Sequence, residues 1–120
     1  MMKKDNVILE KSYQFAIEII ELYKKLRFEN KEFVLSSQLL RSGTSIGANI
    51  EEAVGAQSKK DFLAKISISY KEARETHYWL KLLRDTKFIE TISAENLLDK
   101  ATELLKIIGS IQKSIKANNS

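Results

Sequence analysis

Gly43-Thr44-Ser45-Ile46-Gly47 has the G-x-S-x-G spacing of a nucleophile elbow, the strand-to-helix turn that exposes a serine hydroxyl for acyl transfer. That chemistry needs a base to take the hydroxyl proton and an acid to orient the base. The only histidine is His77, which recurs with Leu63, Ile66, Tyr70, Ala73 and Leu80 at helical spacing. A histidine on such a stripe is ordinarily a hydrogen-bonded packing or interface residue. No strand-like alternation leads into Gly43, so Ser45 lacks the context of a nucleophile, and the chain is expected not to be an enzyme.

Metal chemistry fares no better. A di-iron centre in a helical bundle uses Glu-x-x-His on two helices, but the residue three before His77 is Arg74. Glu51, Glu52, Glu72 and Glu75 could gather carboxylates, yet Arg41, Lys71 and Arg74 are equally available to pair with them, so a salt-bridged surface is expected. No Gly-Lys-Ser/Thr follows Gly43 to make a phosphate loop. Without cysteine there is no thiolate nucleophile, disulfide framework or Cys-based zinc site, which fits a reducing cytosol. No cofactor or metal is expected.

Nucleic acid is a further candidate partner. The formal charge is +4 and the pI near 9.2, although a Lys/Glu-rich helix surface gives the same totals. Lys24, Lys25, Arg27 and Lys31 form one basic cluster, and Lys59, Lys60 and Lys65 a second. If copies assemble, each cluster is repeated, and phosphate contacts act together through counterion release. Tyr13, Tyr70, Tyr78 and Trp79 could stack on bases, but aromatics at helical spacing more often pack.

These residues must be positioned by helices. A chain of 120 residues and 13.8 kDa makes one domain, 1–120. It has no proline where about six would be average, so nothing forces helices to break. Apolar periodicity predicts helices over roughly 6–27, 32–56, 59–87 and 94–117. Asp5 or Asn6 can cap the first, Asn30 the second with Glu32 in its first turn, Ser58 with Asp61 the third, and Ser93 the fourth. Asn118-Asn119-Ser120 should fray. Asp5, Glu10 and Lys11 interrupt any signal-peptide apolar region after Met1-Met2-Lys3-Lys4, and no uncharged run nears the roughly 20 residues of a membrane span. A cytoplasmic protein without membrane contact is expected.

Four amphipathic helices with short connections predict an all-α, antiparallel up-and-down four-helix bundle. Within the second helix, Leu40, Gly43, Gly47, Ile50 and Val54 make one stripe. Each glycine costs up to about 1 kcal/mol relative to alanine in a helix interior, which a close helix contact would offset; a kink at Gly43 is the alternative. Ala64, Ser67 and Ser69 are small enough to face that notch, although the spacing leaves open which helix fills it. Leu9/Ile20/Tyr23, Leu40/Ile50/Val54, Leu98/Leu105 and Trp79/Leu82 lie beside the main stripes, making more apolar surface than one core needs. Such a surplus marks an interface, here most simply that of a symmetric homo-oligomer.

The run Leu39-Leu40-Arg41-Ser42-Gly43-Thr44-Ser45-Ile46-Gly47-Ala48-Asn49-Ile50-Glu51-Glu52-Ala53, with Ser58-Lys59-Lys60-Asp61-Phe62 and Lys71-Glu72-Ala73-Arg74-Glu75-Thr76-His77-Tyr78-Trp79-Leu80, strongly resembles the four-helix-bundle proteins named for 23S rRNA intervening sequences. The resemblance covers nearly the whole chain. These proteins are similar in fold to the accessory variability determinant proteins of diversity-generating retroelements, which bind nucleic acid and a reverse transcriptase through a basic surface. The resemblance implies a barrel-like homopentamer of four-helix bundles and leaves the molecular role open.

Overall fold

The computed structural model of the chain describes the backbone of residues 3–118 and side chains from residue 7 to 118. Asp5 and Asn6 lie inside the first helix, which already includes Lys3, so neither is its N-cap; Asn118 belongs to the last helix, and fraying at Asn119 and Ser120 falls outside the described residues. The described residues form four helices and no strand: α1 (Lys3–Phe28), α2 (Leu35–Val54), α3 (Lys59–Asp85) and α4 (Thr91–Asn118).

Contacts between helices run in opposite directions along successive pairs, which makes the bundle antiparallel. Gly43 and Gly47 of α2 meet Ile19 and Ser12 of α1. Ser42 and Ile46 of α2 meet Thr76 and Ser69 of α3, and Tyr70 and Ser67 of α3 meet Gly109 and Gln112 of α4. Each helix packs most closely on its neighbours in sequence, and the closing α1/α4 seam is the loosest. The molecule measures 48 × 21 × 20 Å.

The core is built from residues at helical spacing: Ile8, Phe15, Ile19 and Leu26 face Leu39, Ile46 and Ile50, with Ile66, Ala73, Leu80 and Leu83 and then Leu97, Ala101, Leu104 and Ile108 closing the interior, while Leu63, Tyr70 and His77 of the α3 stripe are only half-buried. Hydroxyls enter this interior only where they are satisfied. Ser69 donates to the Ile46 carbonyl at 2.8 Å, and the Thr76 and Ser42 hydroxyls lie 2.9 Å apart. A buried hydroxyl left alone would cost on the order of 1–3 kcal/mol.

The helix ends depart from expectation for local reasons. Asn30 does not cap α2. Lys31 takes a left-handed φ of 56°, turning the chain so that the Glu32 carboxylate accepts from the backbone N–H groups of Val34, Leu35 and Ser36 at 3.2, 2.8 and 2.7 Å. The helix therefore begins at Leu35, and it runs unbroken through Gly43 to Val54. Ser58 accepts from Asp61 N–H at 3.0 Å, the expected cap of α3. That helix ends two residues early, at Asp85, because Lys87 is left-handed at φ 66° and the Phe88 and Lys87 N–H groups return to the Leu83 and Arg84 carbonyls. This is a Schellman closure with lysine where glycine is usual. The N–H of Ala94 bonds Glu90, so α4 starts at Thr91 and Ser93 lies inside it rather than capping it.

Candidate functional site

The glycine notch is filled from within the chain. A Cβ on Gly43 would lie 2.8 Å from Ile19 Cγ2, and one on Gly47 would lie 3.2 Å from Ser12 Oγ and 3.4 Å from the Ser12 carbonyl oxygen. The two glycines, with the small, buried Ser12, let the α1 and α2 backbones approach. The third-helix residues lie elsewhere: Ser69 bonds Ile46, Ser67 receives a bond from Gln112 of α4, and Ala64 is exposed. Helical periodicity shows that a glycine pair invites a neighbour but not which neighbour takes it, since that depends on how α2 is rotated in the bundle.

The surplus apolar residues divide into two groups. Ile50 and Leu98 are core residues, 1% and 7% exposed. Leu9, Ile20, Tyr23, Leu40, Leu105, Trp79 and Leu82 are half-buried, and Val54 is exposed. On α1, Leu9, Tyr13, Ala16, Ile20 and Tyr23 follow one another at spacings of four and three, and the Ile19–Gly43 and Ser12–Gly47 contacts set them beside Leu40, Thr44, Gly47 and Val54 of α2. The α1/α2 side is thus an apolar strip. Its α2 stripe carries one charge, Glu51.

The α2/α3 side is polar and internally paired. Arg41 bridges Glu72, at 3.0 Å through Nη1, and Glu75 through Nη2; Trp79 Nε1 donates to the same Glu75 oxygen at 2.9 Å. Trp79 is therefore tied to its own chain along one edge. Lys65 pairs with Glu52 at 3.1 Å. Three of the carboxylates singled out for metal, Glu52, Glu72 and Glu75, thus meet cations, and no group of three or more His, Cys, Asp or Glu suited to a metal occurs among the described residues.

Ser45 and His77 are not brought together. The Ser45 hydroxyl donates to the Arg41 carbonyl at 2.6 Å, one turn back on its own helix. His77 lines a groove with Arg74, Tyr78, Lys81 and, from α4, Leu105. Burial holds its pKa below the ordinary 6.5, and Lys81, Arg74 and Arg84 push it further the same way. The spacing 74/77/81 carries this grouping in the sequence, overlaid on the apolar stripe that also contains His77.

The two basic clusters lie at opposite ends of the bundle. Lys24, Lys25, Arg27 and Lys31 sit where α1 gives way to α2, and Lys59 and Lys60 where α3 begins. Lys24 is 3.4 Å from Glu21. Arg27 lies over the rings of Phe28 and Phe33, 5.9 and 5.1 Å from their centroids, and both rings are exposed. Lys59 and Lys60 are exposed in the first turn of α3. No described helix is long and apolar enough to cross a membrane.

Comparison with known proteins agrees with this architecture. The family model described as 23S rRNA-intervening sequence protein matches residues 4–110. A crystal structure of a protein of unknown function from the S23 ribosomal protein family of Bacteroides thetaiotaomicron is 54% identical, with a TM-score of 0.90 over 92% of this chain and 98% of that one. No curated protein is similar in sequence.

Proposed function

The chain belongs to the 23S rRNA-intervening sequence protein family, and since the similar solved protein is itself of unknown function, we propose a role from the surface: a non-enzymatic scaffold or adaptor that works as a homo-oligomer joined along the α1/α2 side. The observation that carries this reading is the strip of Leu9, Tyr13, Ala16, Ile20 and Tyr23 beside Leu40, Thr44 and Val54, with Tyr13 63% and Val54 41% exposed. Apolar surface of that continuity gains from burial against another copy at roughly 25 cal/mol per Å². A heterologous contact that closes on itself gives a ring, and five copies accord with the resemblance to barrel-forming proteins.

A second reading, a nucleic-acid accessory protein, draws support from the turn end of the bundle. There Arg27 is held between exposed Phe28 and Phe33 beside Lys24 and Lys25, a pairing of cation and aromatic faces suited to phosphate and base. One experiment tests both: size-exclusion chromatography with light scattering, read at 260 and 280 nm. Five chains of 13.8 kDa should give about 69 kDa. A concentration-independent 13.8 kDa species would refute the assembly. An excess 260 nm signal travelling with the protein would put the accessory reading first.

A further inference from the structure

Arg74, His77 and Lys81 leave one face of α3 within two turns, about 10 Å of helix. With Tyr78 and with Leu105 of α4 they line a groove of about 350 Å3. No carboxylate is among the lining residues, and neither Arg74 nor Lys81 takes part in any ion pair among the described residues. Lys11, Arg41, Lys65 and Lys100 each reach a carboxylate on another helix. Arg74 and Lys81 thus flank the imidazole with no carboxylate in the lining, the nearest acidic influence being Asp85, one turn along α3 from Lys81.

The donors differ in kind: a planar guanidinium fork, an ammonium that donates in three directions and an imidazole. A phosphate, with oxygens pointing several ways, can use all three, whereas a carboxylate is satisfied by the fork alone. Beside them the Tyr78 ring is 52% exposed and is steadied edge-on by Trp79, with centroids 5.3 Å apart and planes at 64°. A ring so placed offers a flat face to a base attached to the phosphate. We propose that Arg74, His77 and Lys81 form a binding site for nucleotide phosphate, with Tyr78 as the stacking platform for its base. The site takes no residue from the α1/α2 strip or from the basic clusters at the two ends.

A bound phosphate reverses the repulsion that Lys81, Arg74 and Arg84 exert on His77. From α4 the groove receives only the uncharged Leu105 and no α2 residue lines it; the carboxylates in range, Asp85 beside Lys81 and Arg84 and Glu95 of α4 beside Arg84, act on the cations from outside the lining. Binding therefore raises the His77 pKa, and by linkage affinity increases as pH falls through that range.

His77 is the only histidine, so its imidazole NMR signals report the site without ambiguity. The full chain at low salt is titrated over pH 5–8 alone, with 5′-AMP, and with a ten-nucleotide oligothymidylate. A rise in the His77 pKa with either probe is expected; with AMP the source is a free nucleotide, with the oligonucleotide alone it is a strand. Arg74→Gln with Lys81→Gln, both at exposed positions and so compatible with folding as checked by circular dichroism, should weaken binding by at least about tenfold and abolish the rise. An unchanged His77 titration with both probes, or wild-type affinity in the folded double variant, overturns the proposal.

Discussion

At Gly43 a single methyl group separates two opposing effects. Alanine is better than glycine in a helix by up to about 1 kcal/mol, but its Cβ would sit 2.8, 2.9 and 3.2 Å from Ile19 Cγ2, Cγ1 and Cβ, close to the root of a buried, β-branched side chain that has little room to turn. Overpacking of this kind costs about 1–3 kcal/mol, so Gly43→Ala is expected to lose about 1–2 kcal/mol in urea denaturation. Gly47→Ala meets Ser12 at 3.2–3.5 Å and should stay within about 1 kcal/mol of wild type, contact and propensity offsetting one another. The reverse order would show that α1 does not fill the notch. A larger residue such as Gly47→Leu would force α1 off α2, so loss of assembly in that variant would report unfolding as readily as an interface. His77 adds a pH dependence of defined sign. Its folded pKa lies below the ordinary 6.5, so the unfolded chain takes the proton first. The stabilising contribution is complete above 6.5 and is lost as pH falls through the folded value. Urea midpoints should therefore drop from pH 8 to pH 5.5 in wild type and drop less in His77→Gln.

The start of α2 shows how an element is set by one side chain. The acidic residue expected to complement the helix dipole does so as the cap itself, because left-handed Lys31 swings Glu32 back over three unpaired N–H groups. Burial pushes the Glu32 pKa up, but the backbone donors of Leu35, Ser36 and Val34 outweigh it, and the net shift is down from 4.5. Glu32→Ala should cost about 1 kcal/mol, the usual worth of a cap. That difference should be full above pH 4.5 and be lost as pH falls through the lower folded pKa, so thermal melts of the two proteins should differ at pH 7 and draw together as the pH is taken progressively below 4.5. The α3 cap was legible in Ser58 and Asp61 because the motif is contiguous in sequence. The Glu32 cap was not, because it depends on a positive φ at a lysine, and lysine carries no mark of that conformation.

At the scale of the molecule, burial separates residues that hold the chain together from those that can join copies. Ile50 is 1% exposed and belongs to the interior, whereas Tyr13 and Val54 stand on the α1/α2 side at 63% and 41%. Tyr13→Glu combined with Val54→Glu should keep the helical circular dichroism and melting temperature near wild type while shifting the solution mass to the monomer. A desolvated carboxylate at a subunit contact is far costlier than one in water. Wild-type mass in this variant would remove the α1/α2 side as the meeting surface. The four positions Leu40, Ile50, Val54 and Gly47 share one helical stripe in sequence, yet the bundle divides them among core, half-buried strip and exposed edge.

Four helices and their order are legible in the residues alone, because periodicity of 3.6 and the absence of proline are local properties that any helix must obey. The family is legible there too, through the Leu39 to Ala53 and Lys71 to Leu80 runs. Tertiary packing settled what the stripes left open: that α1 rather than α3 enters the Gly43/Gly47 notch, and that Leu105 of α4 closes a groove over Arg74, His77 and Lys81. Each of these depends on how whole helices are rotated and paired. That rotation is chosen by the sum of contacts over four helices, and no single stripe contains it.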